Sequence, residues 1–227
     1  MINRRGWHNY LIAAQAFLVV FVLFKLVIYP SQENRSVVPI NFPDSVPLDK
    51  WQQLESKSLE DKLIPDSGYF AGENIGGHSY KYSLPDRSLT IEMRYLVNTN
   101  GDLKYFVKDY TGSIEPYLYE QPGIGFYSMY PYGDRIYLTT CINPYGKTSV
   151  KSDRFRRNAL RHAIDPKRIL IWLTSQDKII DNRCLWAYLS MPVRDSPPEA
   201  VYPLLEDAWF DWHQWWTENF KRLKDEG

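Results

Sequence analysis

The residues of this chain whose types could support chemistry are two cysteines and four histidines. A thiolate beside a histidine would allow nucleophilic catalysis, and clustered histidines or cysteines would hold a metal ion. No histidine has metal-ligand spacing to a cysteine or to another histidine, so we predict no metal site. A nucleophilic pair would need Cys141 or Cys184 to lie beside His78 or His162, and sequence spacing alone does not establish that proximity.

Cys141 and Cys184 are the only cysteines of the chain. If the domain lies in an oxidising compartment, as its N-terminus indicates below, no third thiol competes for either of them. We predict a disulfide that joins the end of one strand to the start of another. The alternative is two reduced cysteines that fill space as small apolar side chains.

Other motifs and the overall charge exclude several classes of protein. Motifs for phosphate loops, dinucleotide sites and nucleophile elbows are absent, so we predict no catalytic residue and no cofactor. With 27 basic and 27 acidic residues, the chain has no electrostatic footprint for nucleic acid. Aromatic residues make up 15% of the chain, which suits either a sugar-stacking surface or a large core.

An apolar segment near the N-terminus, residues 10–29, predicts a transmembrane helix. Gln15 and Lys25 are its only strongly polar residues. A helix of this length rises about 30 Å, which matches the hydrocarbon core of a bilayer. Lys25 lies one turn from the far end, where its ammonium can reach the headgroups. A small-x-small cleavage site does not follow, so we predict a retained single-pass anchor in membrane lipid rather than a cleaved signal.

Charges beside this helix predict its orientation. Arg4 and Arg5 precede it, whereas Arg35 beyond it is accompanied by Glu33. The positive-inside rule therefore places the N-terminus in the cytoplasm. Residues 1–30 are then the cytoplasmic tip and anchor, and residues 31–47, rich in proline, form an extended linker. Residues 48–227 form one periplasmic domain beyond a plasma or inner membrane.

Alternation of apolar and polar residues predicts strands in the domain. The clearest strands are residues 88–98 and 103–108. We predict a hairpin with a three-residue loop, which places Tyr95 opposite Tyr105 and Gly101 in the left-handed conformation. Residues 117–132 are aromatic and broken by proline and glycine, which indicates an irregular loop with room for a short strand. The remaining predictions are strands at 78–82, 135–141 and 184–193, a glycine-rich loop at 69–77, and either a strand or a helical turn within 48–63.

Three further helices are predicted in the domain. The first covers residues 152–164, and the second is a short helix after Pro166, for which a strand is the alternative. The last covers residues 198–224, and its apolar residues recur at helical spacing along one face: Leu205, Trp209, Trp212, Trp216, Phe220 and Leu223. The predicted class is α+β, with one transmembrane helix, one domain with a mainly antiparallel sheet, and a long C-terminal helix.

Several short segments resemble the cyanobacterial exosortase-associated proteins. They are residues 91–95 (IEMRY), 100–102 (NGD), 140–144 (TCINP) and 181–186 (DNRCLW), with 46–48 (VPL) ahead of Trp51. Their order, together with the anchor, extends the resemblance over nearly the whole chain, and the likeness is strongest to the partners of type A cyanoexosortase.

The resemblance implies a role beside a cyanoexosortase, an integral-membrane enzyme that processes exported proteins with a C-terminal sorting signal. That enzyme places its cysteine, arginine and histidine among many membrane helices, whereas this chain has one predicted span. We therefore expect a non-catalytic accessory whose partners are the exosortase, its substrates or a linked exopolysaccharide pathway. The alternatives are an exported cysteine-dependent enzyme and a carbohydrate-binding module.

Overall fold

A computed structural model describes residues 4–28, 40–59, 72–102, 104, 117–144, 147–174, 178–193 and 197–225. Its helices are α1 (Arg4–Ile28), α2 (Ser152–Ala163), α3 (Pro166–Thr174) and α4 (Pro198–Asp225). Its strands are β1 (Gln52–Leu59), β2 (Glu73–Leu84), β3 (Arg87–Val97), β4 (Tyr117–Gln121), β5 (Gly125–Tyr132), β6 (Arg135–Ile142) and β7 (Cys184–Pro192). The predicted α+β class, with an N-terminal apolar helix, an antiparallel sheet and a C-terminal helix, is confirmed.

The chain divides into two compact units. One contains α1 and residues 162–180, which include α3, and the other contains the sheet and α4. In the first unit, Trp7–Val27 is long and apolar enough to cross a membrane, and nearly all of its side chains are exposed. The predicted start of α3 at Pro166 is confirmed. The Asp165 carboxylate caps this helix by accepting the backbone N–H groups of Lys167 at 2.9 Å and Arg168 at 3.3 Å.

The second unit is built on one seven-stranded sheet in the order β1-β2-β3-β7-β6-β5-β4. Every neighbouring pair is antiparallel. The last strand in the sequence, β7, lies at the centre, between β3 and β6. Its residues from Cys184 to Met191 are all buried, because a central strand in this sheet is covered on both faces.

Helix α4 covers one face of the sheet with the predicted apolar stripe. Leu205, Trp209, Trp212 and Trp216 are fully buried, whereas the side chain of Leu223 lies outside the described residues. The indole N–H of Trp212 donates to the Met93 sulfur at 3.2 Å, which joins the helix to β3. The stripe is therefore core, as its helical spacing predicts.

The predicted hairpin between residues 88–98 and 103–108 is wrong. The first strand exists as β3, but both of its edges are already paired: Tyr95 lies opposite Gly76 of β2 and Leu185 of β7. Strands β2 and β3 are joined by a two-residue turn in which Asp86 has φ 60°. Alternation identifies a strand but not its neighbours. Because the turn between β2 and β3 is only two residues long, β2 pairs with one edge of β3 in place of the predicted partner. Tyr105 lies outside the described residues, and the left-handed conformation of Gly101, φ 68°, is confirmed.

The aromatic segment 117–132 is a hairpin of two strands, not an irregular loop. Tyrosine favours strands, and the turn between β4 and β5 contains Gly123 at φ 87°. Pairing between the two strands extends to Tyr117 opposite Met129, so Pro131 lies beyond it. The missing N–H of Pro131 therefore removes no hydrogen bond to β4. Strand β2 likewise extends into the predicted glycine-rich loop, and the segment left open within residues 48–63 contains β1.

Residues 40–47 of the predicted linker pack on the domain. Ile40 and Val46 are buried in the core beneath α4. The Tyr80 hydroxyl donates to the Pro43 carbonyl at 2.9 Å, and the Tyr82 hydroxyl donates to the Val46 carbonyl at 2.7 Å. Both buried tyrosines need an acceptor, and the proline-rich segment supplies one to each. Residues 31–39 of the predicted linker lie outside the described residues.

Candidate functional site: the disulfide end of the sheet

A disulfide between Cys141 and Cys184 closes one end of the sheet. Cys141 comes from the end of β6 and Cys184 begins the neighbouring strand β7. Their Cα atoms lie 5.6 Å apart, within the range that a disulfide requires, and both residues are fully buried. The structure joins the two sulfurs. The predicted pairing is therefore geometrically met, and its formation in the cell stays a prediction.

Three of the segments quoted for the resemblance meet around this disulfide. In the segment 181–186, Leu185 pairs across the sheet with Tyr95 of the segment 91–95, and Trp186 pairs with Cys141 of the segment 140–144. The backbone N–H of Thr99, just before the segment 100–102, donates to the Asn182 carbonyl at 3.1 Å. Residues far apart in the sequence thus form one region at the disulfide end of the sheet.

The segment before β7 is held by an ion pair. The Arg183 guanidinium donates through Nε to the Asp181 carboxylate at 2.7 Å, and a second nitrogen donates to the other carboxylate oxygen. Burial by itself would lower the pKa of Arg183, but the hydrogen bonds and charge of Asp181 raise it above its usual value. The Asp181 side chain is only 6% exposed. This pair fixes the chain immediately before Cys184 and leaves its two charges satisfied by each other.

The segment after β3 holds helix α2 close to the sheet. Asn100 accepts the backbone N–H of Asp102 through its side-chain oxygen at 3.0 Å, which forms a local turn. A Cβ added to Gly101 would lie 2.3 Å from Cγ of Phe155, a buried residue of α2. Gly101 is therefore required both by its positive φ and by the approach of Phe155.

The segment 140–144 fixes the return of the chain after β6. Cys141 and Ser149 exchange two backbone hydrogen bonds of 3.0 and 3.1 Å. The Asn143 amide donates to the Lys147 carbonyl at 2.6 Å, and the Thr140 hydroxyl donates to the Phe126 carbonyl at 2.7 Å. These polar side chains are buried and bond to backbone, so their role in this structure is to hold the loop in place.

A ladder of tyrosines lies on the sheet face opposite α4. The rings of Tyr130, Tyr137 and Tyr188 stack in sequence, with centroids 5.5 and 5.2 Å apart. The hydroxyl of Tyr130 donates to that of Tyr188 at 3.1 Å. Tyr132 extends the ladder and is 44% exposed. Sequence reasoning identified the richness in tyrosine but not this ladder, whose members come from three strands.

The histidines described in the sheet unit are packed against aromatic rings. His78 is buried between Phe42 and Tyr80, with Nε2 2.6 Å from the Ser56 hydroxyl, and burial lowers its pKa. His213 lies against Trp209, and burial lowers its pKa to about 4. Both side chains are therefore neutral near pH 7.

The remaining candidates for chemistry are the two sulfurs and the possible metal ligands. The disulfide engages both sulfurs, so a nucleophilic pair with His78 or His162 would first require its reduction. Among the described residues, no group of three or more His, Cys, Asp or Glu side chains is arranged to hold a metal ion.

No protein-family model, curated protein or solved structure matches this chain.

Proposed function

We propose that the protein is a non-catalytic, membrane-anchored accessory of a cyanobacterial exosortase system. The observation that carries the proposal is the meeting of three resemblance segments at the disulfide end of the sheet. These segments lie far apart in the sequence, and the strand pairing brings them to one end of the sheet, where they can act together. Their polar side chains hold this end of the domain in one conformation, as a binding surface requires.

The proposal includes a membrane topology. Helix α1 crosses the plasma or inner membrane with its N-terminus in the cytoplasm, and the domain lies in the periplasm. The length and composition of Trp7–Val27 support the crossing, and Arg4 and Arg5 before it support the orientation. A buried disulfide supports export, because such bonds persist in oxidising compartments.

The direct partner in this proposal is the cyanoexosortase or one of its substrates. Affinity purification of the tagged full chain from native membranes tests it. We expect the exosortase, or exported proteins with its sorting signal, to be enriched over a tagged, unrelated single-pass protein. Equal amounts in the two purifications would contradict the proposal.

Two variants locate the recognition surface in the same experiment. In the first, Trp7–Val27 is replaced by an unrelated transmembrane helix, and we expect partner enrichment to be retained because recognition lies in the domain. In the second, Asp181→Asn removes half of the ion pair that fixes the chain before Cys184, and we expect enrichment to fall. The control is Glu55→Gln, which removes the carboxylate from another ion pair, the exposed one between Glu55 of the edge strand β1 and Lys81 of β2. This substitution should leave enrichment unchanged.

A further inference from the structure

Helix α3 is attached to the last turns of the membrane helix through Lys25. The Lys25 ammonium donates to the backbone carbonyl of Trp172 and lies 3.9 Å from the centroid of the Trp172 ring. This carbonyl is among the last four of α3, which accept no backbone N–H from their own helix. A cation there also complements the negative end of the helix dipole. Lys25, only 6% exposed, is thus a C-terminal cap for α3.

The position of Lys25 sets the level of α3 relative to a bilayer. The apolar stretch Trp7–Val27 rises about 30 Å as a helix, close to the thickness of a hydrocarbon core. Lys25 lies two residues before the end of that stretch. When α1 spans a bilayer, the carbonyl end of α3 is therefore held at the boundary between hydrocarbon and headgroups.

The exposed face of α3 carries two large apolar side chains between a lysine and a threonine. Lys167, Leu170, Ile171 and Thr174 follow the spacing of one helical face, and all four are exposed. Leu170 is 62% exposed and Ile171 is 54% exposed, and Ile164 just before the helix is 72% exposed. The other described apolar side chains of this unit with comparable exposure belong to α1.

We propose that α3 is a second lipid contact, which lies in the bilayer interface beside α1. Leu170 and Ile171 enter the boundary of the acyl chains, and the Lys167 ammonium lies among the headgroup phosphates. The inference rests on the proposed membrane crossing of α1. Phospholipid is the occupant of this face because its apolar surface continues that of α1 through the Lys25–Trp172 contact, and because a cation accompanies the apolar pair.

Spin labels on the full chain test the proposal in vesicles of phosphatidylcholine and phosphatidylglycerol. Three positions of nearly equal exposure receive the label through Leu170→Cys, Leu54→Cys and Val20→Cys, at 62%, 63% and 63%. Leu54 on β1 reports the sheet unit, and Val20 reports the middle of α1. Power saturation compares collisions with oxygen, which concentrates in lipid, and with a nickel chelate, which stays in water. Mass spectrometry without reductant verifies that each labelled protein keeps the native disulfide.

We expect the oxygen-to-nickel collision ratio at position 170 to exceed that at position 54 several-fold. A label at 170 that is as open to nickel as the label at 54 would overturn the proposal. If position 20 is in lipid while 170 is in water, the second lipid contact fails and the anchor stands. If position 20 is also in water, the proposed membrane crossing fails with it. A label at 170 that is closed to both reagents would mean that protein covers α3, which also contradicts a lipid contact.

Discussion

Gly101 shows at the scale of one residue why a turn glycine matters to a helix elsewhere in the chain. Its φ of 68° is unfavourable for other residues, and an added Cβ would meet Phe155 of α2. Gly101→Ala should therefore lower the free energy of unfolding by about 2–3 kcal/mol, the sum of backbone strain and overpacking. Urea unfolding of the full chain in detergent, followed by near-ultraviolet circular dichroism, measures this loss.

Gly123→Ala is the matched control for this substitution. Gly123 also has positive φ, 87°, but an added Cβ would meet no atom within 4 Å. Its loss should be limited to the backbone strain, about 1 kcal/mol. Equal losses for the two variants would show that contact with Phe155 does not constrain position 101.

His213 is the residue through which acid should weaken the attachment of α4. Burial lowers its pKa to about 4 from the usual value of 6.5, so between these values the unfolded chain binds a proton that the folded protein does not. Above about pH 6.5, the imidazole of His213 is neutral in both states and costs no stability. As the pH falls from 6.5 towards 4, the free energy of unfolding decreases by at most about 3 kcal/mol because the unfolded chain binds the extra proton.

Comparison of the native protein with His213→Gln isolates this effect. Carboxylates contribute equally to both proteins, so the difference between them comes from the imidazole. From pH 7 to pH 4.5, the free energy of unfolding should fall more steeply for the native protein than for the variant. Parallel curves would mean that His213 does not remain neutral in the fold.

At the scale of secondary structure, local pattern predicted the elements better than it predicted their neighbours. Helical spacing identified α2 and α4, Pro166 favoured a helix over a strand for α3, and alternation identified β3. The pairing of β3 was mispredicted because β7, about ninety residues later, occupies one of its edges. Such a pairing depends on the burial of whole strands, which a local pattern does not contain. The hairpin of β4 and β5 was not predicted because prolines and glycines usually interrupt strands. Here those of residues 117–132 lie in the turn and near the strand ends.

The tryptophans of α4 give the element-scale prediction. Trp212 is fully buried, donates to the Met93 sulfur and packs against Tyr80 at a centroid distance of 5.1 Å. Trp212→Ala should reduce the free energy of unfolding by about 4 kcal/mol through lost burial and a cavity. Trp215→Ala, at a half-buried position on the same helix, should cost clearly less in the same urea measurement. The reverse order would mean that Trp215 contributes more to the packing of α4 on the sheet than Trp212 does.

At the scale of the whole molecule, only part of the candidate site is predictable from the sequence. The cysteine pair followed from its number and expected compartment, because no other pairing is available. The tyrosine ladder required the register of β5, β6 and β7, since its rings are contributed by all three strands. The Lys25–Trp172 contact joins residues 147 positions apart, and neither residue predicts the other. Long-range assembly thus accounts for the features that sequence reasoning missed.

The central claim is that an exported, disulfide-closed domain follows a membrane anchor, and the redox state of Cys141 and Cys184 tests it most directly. Closing a loop with a sequence separation of 43 removes about 4 kcal/mol of unfolded-state entropy in the chain-entropy account of disulfide stability. The measurement is mass spectrometry of the full chain from native membranes, with free thiols alkylated before digestion without reductant. We predict a cross-linked peptide containing both cysteines and negligible alkylation at either position. An alkylated thiol at Cys141 or Cys184 in most of the protein would contradict the account and favour the cysteine-dependent enzyme.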